Sequence, residues 1–246
     1  MRLAGKAAIV TGAGSGIGKA IAAAFAREGA HVVICGRDAR KLEQAATEIG
    51  PQCLALAADV SHSDDTNKLV EQTVEEFKRL DILVNNAGVL LAGTAESLTS
   101  QQWEQTFNTN VRAVWQLSRA ALPHMRKAGS GSIINIASVL SSLGARNRVA
   151  YSASKGAVLA LSRAMALDHA EENIRINCIC PGIVETEMVA AFNLDEKARQ
   201  QRISAHPMGR FGQPGDIAGL AVFLASDEAS WITGAAFTAD GGYSAH

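Results

Sequence analysis

The chain has 246 residues, 48% of them apolar and 19% charged, with a formal net charge of -1, so it can bury a core unaided and has no basic excess to track nucleic acid or an anionic membrane. Disorder is excluded on that basis, and a small-molecule partner is expected rather than nucleic acid or membrane. Cys35, Cys53, Cys178 and Cys180 form no Cys-x-x-Cys pair and the six histidines show no metal-binding spacing, so reduced core cysteines and no metal site are expected.

Short β-branched segments alternate with longer segments of helical period along residues 1–246. This predicts one undivided domain with an α/β, doubly wound (Rossmann-type) seven-stranded parallel sheet and helices on both faces. The strands are expected at 7–11, 31–35, 53–57, 82–84, 132–137, 175–179 and 236–239. The apolar run after the N-terminus stops at Val10, too short for a signal-peptide core or a membrane span, which makes a cytoplasmic protein the expectation.

The first strand runs into Thr11-Gly12-Ala13-Gly14-Ser15-Gly16-Ile17-Gly18, and a helix with Ile17, Ile21 and Phe25 on one face follows. Glycine permits the tight turn and close backbone approach, and the helix N-terminus favours an anion, so Gly12, Ser15, Gly16, Ile17 and Gly18 read as a pyrophosphate cradle. A nucleoside-triphosphate loop is excluded, because Ala13 stands where its first glycine would be and Ala20 where it needs Ser or Thr. The second strand leads into Gly36-Arg37, with no carboxylate for a ribose 2′-hydroxyl and an arginine suited to a 2′-phosphate. NADP(H) is therefore expected ahead of NAD(H), which stays the alternative, with Arg40 and Lys41 as reinforcement.

Further along, Val70, Val74 and Phe77 mark a helix face, and the fourth strand ends in Asn85-Asn86-Ala87-Gly88, whose small residues leave room for a cofactor. Ser138 closes the fifth strand, and Tyr151 and Lys155 sit four apart on the next helix, so they share a face. Tyrosine can give a proton to a developing alkoxide if a nearby ammonium lowers its pKa, and a serine hydroxyl can hold the same oxygen. Ala157, Leu161 and Ala164 predict the packing face of this helix. Arg146 and Arg148, just before Tyr151, suit a substrate carboxylate. Residues 184–211 mix Met188, Val189 and Phe192 with Glu196, Lys197 and Arg199, as either an amphipathic lid or a surface helix would.

The Thr-Gly-x-x-x-Gly-x-Gly loop, the Asn-Asn-Ala-Gly tetrapeptide, Ser138 and Tyr151-x-x-x-Lys155 together resemble the short-chain dehydrogenase/reductase family over essentially the whole chain. The resemblance implies a catalytic set of Asn110, Ser138, Tyr151 and Lys155, with Asn110 in a long helix and holding a proton-relay water. It places Asp59 and Val60 on the adenine, although Asp59 could instead cap a turn. Asn86, Ala87 and Gly88 would pass under the cofactor, and Asn85 could simply brace the sheet. Tyr151 and Lys155 would also touch the cofactor, Lys155 through the nicotinamide ribose. Pro181, Gly182, Ile183 and Thr186 would wrap the nicotinamide, and the subunits would form a homotetramer.

The implied activity is hydride transfer between NADP(H) and a secondary alcohol or ketone. Hydroxy or keto acids, sugar acids, 3-oxoacyl thioesters and simple ketones are the candidate substrates. A catalytically silent NAD(P)-binding regulatory or scaffold protein is the alternative.

Overall fold

In the computed structural model, which describes residues 1–193 and 195–245, the apolar strands carry side chains to two separate cores. Ala8, Val10, Val32, Ile34, Ile82, Val84 and Ile134 face one cluster, while Ile9, Val33, Leu83, Ile133 and Ile176 face the other. Successive strand residues point to opposite faces, so a sheet covered on both sides needs uninterrupted apolar runs.

The strands are β1 (Ala7–Thr11), β2 (His31–Gly36), β3 (Cys53–Ala57), β4 (Ile82–Asn85), β5 (Gly131–Ile136), β6 (Ile174–Pro181) and β7 (Ala236–Ala239). They lie in the order β3-β2-β1-β4-β5-β6-β7, and every neighbouring pair is parallel. Three strands match the sequence expectation residue for residue, whereas β5 starts and ends one residue earlier and β6 runs on to Pro181. A proline is tolerated there because it closes the strand.

Around the sheet run α1 (Gly16–Arg27), α2 (Ala39–Ile49), α3 (Ser63–Phe77), α4 (Ser100–Phe107), α5 (Ala113–Ala128), α6 (Val149–His169), α7 (Glu187–Ala190), α8 (Glu196–Ser204) and α9 (Pro214–Ala225). Ile21 and Phe25 of α1 join Ile217, Ala221 and Val222 of α9 on one face of the sheet. Leu69 and Val70 of α3, Leu117 and Met125 of α5 and Met165 of α6 cover the other. The expected face of α6 needs correcting. Ala164 is exposed and Ala157 and Leu161 only half-buried, while the buried stripe is Val158, Leu159, Ser162, Met165 and Ala166. Both stripes have helical period; the partly polar one wins because Ser162 has a partner inside.

That partner belongs to a buried polar ladder crossing the sheet. Asn85 Nδ2 donates to Asn135 Oδ1 at 2.8 Å, Asn135 Nδ2 donates to Ser162 Oγ at 2.7 Å, and Cys178 Sγ donates to the same oxygen at 3.0 Å. Asn85 thus braces β4 against β5. None of the four cysteines is in a disulfide, and burial pushes the Cys35 thiol up to about 12, which suits an inert core residue.

The strand order reverses between β3 and β4. Chain connections therefore leave the carboxyl ends of β1 and β4 in opposite directions and open a crevice there. Leu194, inside the segment predicted as a lid or surface helix, and His246, the last residue of the expected domain, lie outside the described residues. No helix among the described residues is long and apolar enough to cross a membrane.

Candidate active site

At the crevice, the ends of β1 and β4 are tied together by side chains of the two loops. The Thr11 hydroxyl accepts from Asn86 N at 3.0 Å and Ala87 N at 2.9 Å, and Asn86 Nδ2 donates to Thr11 O at 2.8 Å and Gly12 O at 3.1 Å. Any larger residue at two of the glycines would break this junction. A Cβ on Gly12, whose φ is +63°, would lie 2.9 Å from Ala87 Cα, and one on Gly18 would lie 2.5 Å from Asn86 Nδ2. Gly18 thus serves the close helix–strand packing of the loop and lines neither of the two cavities at the crevice.

Gly12, Ser15, Gly16 and Ile17 do line the crevice. Ser15 is the N-cap of α1 yet makes no side-chain cap bond, and no acidic residue sits in the first turn. The N-terminal N–H groups and the positive end of the helix dipole are thereby left to an anion.

Two cavities, of about 500 and about 570 Å³, share Gly12, Ala87 and Gly88 as a common wall. The second is lined by Arg37, Asp59 and Val60. Asp59 accepts from Ser61 N at 3.0 Å and from the Ser61 hydroxyl at 2.8 Å through Oδ1 alone, so one oxygen caps the turn and Oδ2 makes no bond of this kind. Burial raises the Asp59 pKa, but the Ser61 hydrogen bonds and the Arg37 and His62 charges outweigh it and hold the carboxyl below its usual range. Of the expected basic reinforcement, Lys41 pairs through Nζ with Glu187 Oε2 at 2.7 Å, an exposed contact. An elongated chamber with an anion cradle at its waist fits a dinucleotide.

The first cavity gathers Asn86, Ala87, Gly88, Ser138, Arg146, Arg148, Tyr151, Lys155 and the Pro181-Gly182-Ile183 strand end. Thr186 lines it as well, and its hydroxyl accepts from Val189 N at 3.4 Å to cap α7. Ser138 Oγ accepts from Leu140 N at 3.1 Å, which fixes the side chain and leaves its O–H to donate. Lys155 is buried and donates to Ile136 O at 2.7 Å, with Nζ 5.8 Å from the centre of the Tyr151 ring. Burial pushes Lys155 down to about 8.

Burial also pushes the Tyr151 phenol up, and the Ser138 hydroxyl and the Arg148 charge pull against that rise. The direction differs from the expected lowering by Lys155, because burial outweighs the charges and hydrogen bonds that oppose it. The balance lies above the usual tyrosine value.

Asn110 lies, as expected, within a long continuous helix. It sits in a π-helical turn, Asn108–Arg112, between α4 and α5, and lines neither cavity. Its Oδ1 accepts from Val89 N at 2.8 Å, and its Nδ2 donates to Val89 O at 2.9 Å and Ser154 Oγ at 3.0 Å. Ser154 Oγ in turn donates to Tyr151 O at 2.7 Å, so Asn110 ties the loop after β4 to the turn of α6 that carries the phenol. Both amide hydrogens are thus spent on protein.

In the 184–211 segment, Met188, Val189 and Phe192 line the cavity while Glu196 and Lys197 are exposed. Sequence reasoning missed Thr11 as the junction and Arg202, which reaches the cavity from α8. The first could have been sought as a strand-end hydroxyl. Arg202 has no local signal.

The family model described as Enoyl-(Acyl carrier protein) reductase matches residues 12–244. The chain is 37% identical to a 3-oxoacyl-[acyl-carrier-protein] reductase of Thermotoga maritima over 98% of its own length and 99% of the relative's. It is 41% identical to an NADP-dependent (R)-specific alcohol dehydrogenase of Lentilactobacillus kefiri over 99% and 98% of the two chains. A solved structure from Beutenbergia cavernae, provisionally described as an NAD(P)-dependent gluconate 5-dehydrogenase with bound NADP at low occupancy, superimposes with a TM-score of 0.94 at 41% identity, covering 99% of this chain and 98% of that one. The nucleotide cradle, the paired Tyr151 and Lys155 and these full-length likenesses agree: the chain belongs to the short-chain dehydrogenase/reductase family of oxidoreductases that act on CH–OH groups.

Proposed function

We propose that residues 1–246 form one catalytic domain that moves a hydride between NADP(H) and a secondary alcohol or ketone. The observation that carries this reading is the convergence of Ser138, Tyr151 and Lys155 in a cavity that shares its wall with the dinucleotide cradle. The nicotinamide supplies or takes the hydride when bound. Tyr151 donates its hydroxyl proton to the substrate oxygen in reduction and accepts it in oxidation. The O–H of Ser138 donates to the same oxygen as negative charge builds there. Lys155, held by Ile136 O, faces Gly88 and is placed to hold the nicotinamide ribose; a Cβ on Gly88 would lie 3.6 Å from its Nζ. Asn110 keeps Tyr151 in register through Ser154.

Arg37 favours NADP(H), since it is exposed in the adenosine-side cavity and makes no ion pair among the described residues. The kefiri relative is described as NADP-dependent, which supports the same choice. In Arg37→Ala, NADPH is expected to bind about tenfold to a hundredfold more weakly, with NADH affinity little changed. Equal loss of both in a titration would count against phosphate recognition.

The remaining parts of the reading are a cytoplasmic enzyme and a homotetramer. Exposed Trp103, Trp115, Leu167 and Trp231 supply apolar surface for subunit contacts. The direct test follows NADPH and NADH absorbance with keto acids, sugar acids, 3-oxoacyl thioesters and simple ketones. Consumption of NADPH with at least one carbonyl is expected. Tight cofactor binding without turnover of any of them would instead mark a silent binding protein.

A further inference from the structure

Electrostatics around the substrate end of the cavity are lopsided. Three arginines, Arg146, Arg148 and Arg202, line it together with Tyr151, and none is within ion-pairing distance of a carboxylate among the described residues. The acidic residues nearby are already committed. Glu187 pairs with Lys41 at 2.7 Å, and Glu185 receives Arg199 through Oε1 and Gln213 Nε2 at 3.1 Å through Oε2.

Arg148 and Arg202 come from different elements, the start of α6 and the body of α8, and each is held. The Arg148 guanidinium lies 5.1 Å from the centre of the Phe192 ring and donates to Asn147 O at 2.9 Å. The backbone of Arg202 is fixed by His206, whose buried ring bonds Arg202 O through Nδ1 at 2.7 Å. Both guanidinium groups line the same cavity, and burial, then the Arg202 charge, push the Arg148 pKa down. Bringing like charges together beside a cavity raises the energy of the empty arrangement and is relieved by an anion between them.

We propose that the substrate carries an anionic group, a carboxylate, sulfonate or phosphate, clasped by Arg148 and Arg202 while its carbonyl or hydroxyl meets Tyr151. Arg148 directly precedes α6, three residues before Tyr151, so the charged group sits only a few bonds from the reacting carbon. Leu90, Val139, Leu140 and Phe192 line the space for the apolar part between them. The inference rests on the alcohol/ketone reading above and names the substrate class for it.

The test compares kcat/KM for acetoacetate and 4-oxopentanoate with that for their methyl esters, and for 2-oxopropylphosphonate with its dimethyl ester. The acid is expected to exceed its ester by about tenfold to a hundredfold through KM, with the larger ratio telling a carboxylate from a phosphonate headgroup. In Arg202→Met and Arg148→Met the ratio should collapse toward one. Arg202→Glu should bring it below one. Esters turned over as well as acids by the wild-type enzyme overturn the proposal, as does a rise confined to the KM for NADPH in the variants, which would assign the arginines to the cofactor.

Calorimetry of propanoate and propane-1-sulfonate binding to the protein loaded with NADP separates the two readings. Arginine-dependent anion binding without turnover of any carbonyl keeps the clasp and sinks the oxidoreductase reading. Ester turnover without anion binding does the reverse.

Discussion

Tyr151→Phe is expected to lower turnover by about a hundredfold to ten-thousandfold while NADPH affinity stays within a few-fold, because only the hydroxyl is lost and a general acid contributes about that much. The half-buried ring and its helix remain. The pH profile adds a second reading of the same group. Burial holds the Tyr151 phenol above its usual pKa, so the protonated form that reduction needs persists through neutral pH. For reduction, kcat/KM should be level near neutrality and fall only in the alkaline range. Oxidation needs the phenolate and should climb with pH over that range. Both limbs are expected to flatten in the Phe variant. Residual turnover within about tenfold of wild type, with the profile intact, would remove Tyr151 from the proton path.

Lys155→Met should trade activity for stability. The buried ammonium is pushed down to about 8 in the folded protein, against about 10.4 for an unfolded lysine. Below pH 8 both states bind the proton, and the folded state bears the whole cost of burying the charge, about 3 kcal/mol. As pH rises from 8 toward 10.4 the folded lysine sheds its proton before the unfolded one does, and the cost disappears. Against this, methionine leaves Ile136 O without its 2.7 Å donor, which costs about 1–3 kcal/mol.

The variant should therefore be inactive yet more stable than wild type by up to about 2 kcal/mol near pH 7, with the advantage shrinking and reversing by about pH 10.5. Urea unfolding at pH 7, 9 and 10.5 measures it. A difference that ignores pH would mean that Lys155 carries no burial penalty. Sites of chemistry often hold such a penalty, since a charge placed for function is not placed for stability.

Local periodicity was enough for most of the architecture. Apolar runs such as Ile133-Ile134 could serve only a sheet covered on both sides, and the glycine loop after β1 could serve only a strand-to-helix turn with open N–H groups. Tyr151 and Lys155 share a face because a helix turn places them there whatever the rest of the chain does.

What periodicity could not decide was competition between surfaces and between charges. Either stripe of α6 has the right period, and Ser162 turned inward because Asn135, on a strand distant in the chain, offered it a hydrogen bond. Asn110 was readable as a site residue, but its role depended on Val89 and Ser154 consuming its amide. Lys41 looked free until Glu187 was brought to it.

The sequence by itself therefore determined the strands, the nucleotide cradle and the phenol–ammonium pair, all of which depend on neighbours within about one helical turn or on strand alternation. Only the tertiary structure decided that burial holds the Tyr151 phenol up and that Arg202 joins Arg148 at the cavity. Coulomb energy falls with distance through space, and that distance is set by how α6 and α8 come together around the cavity.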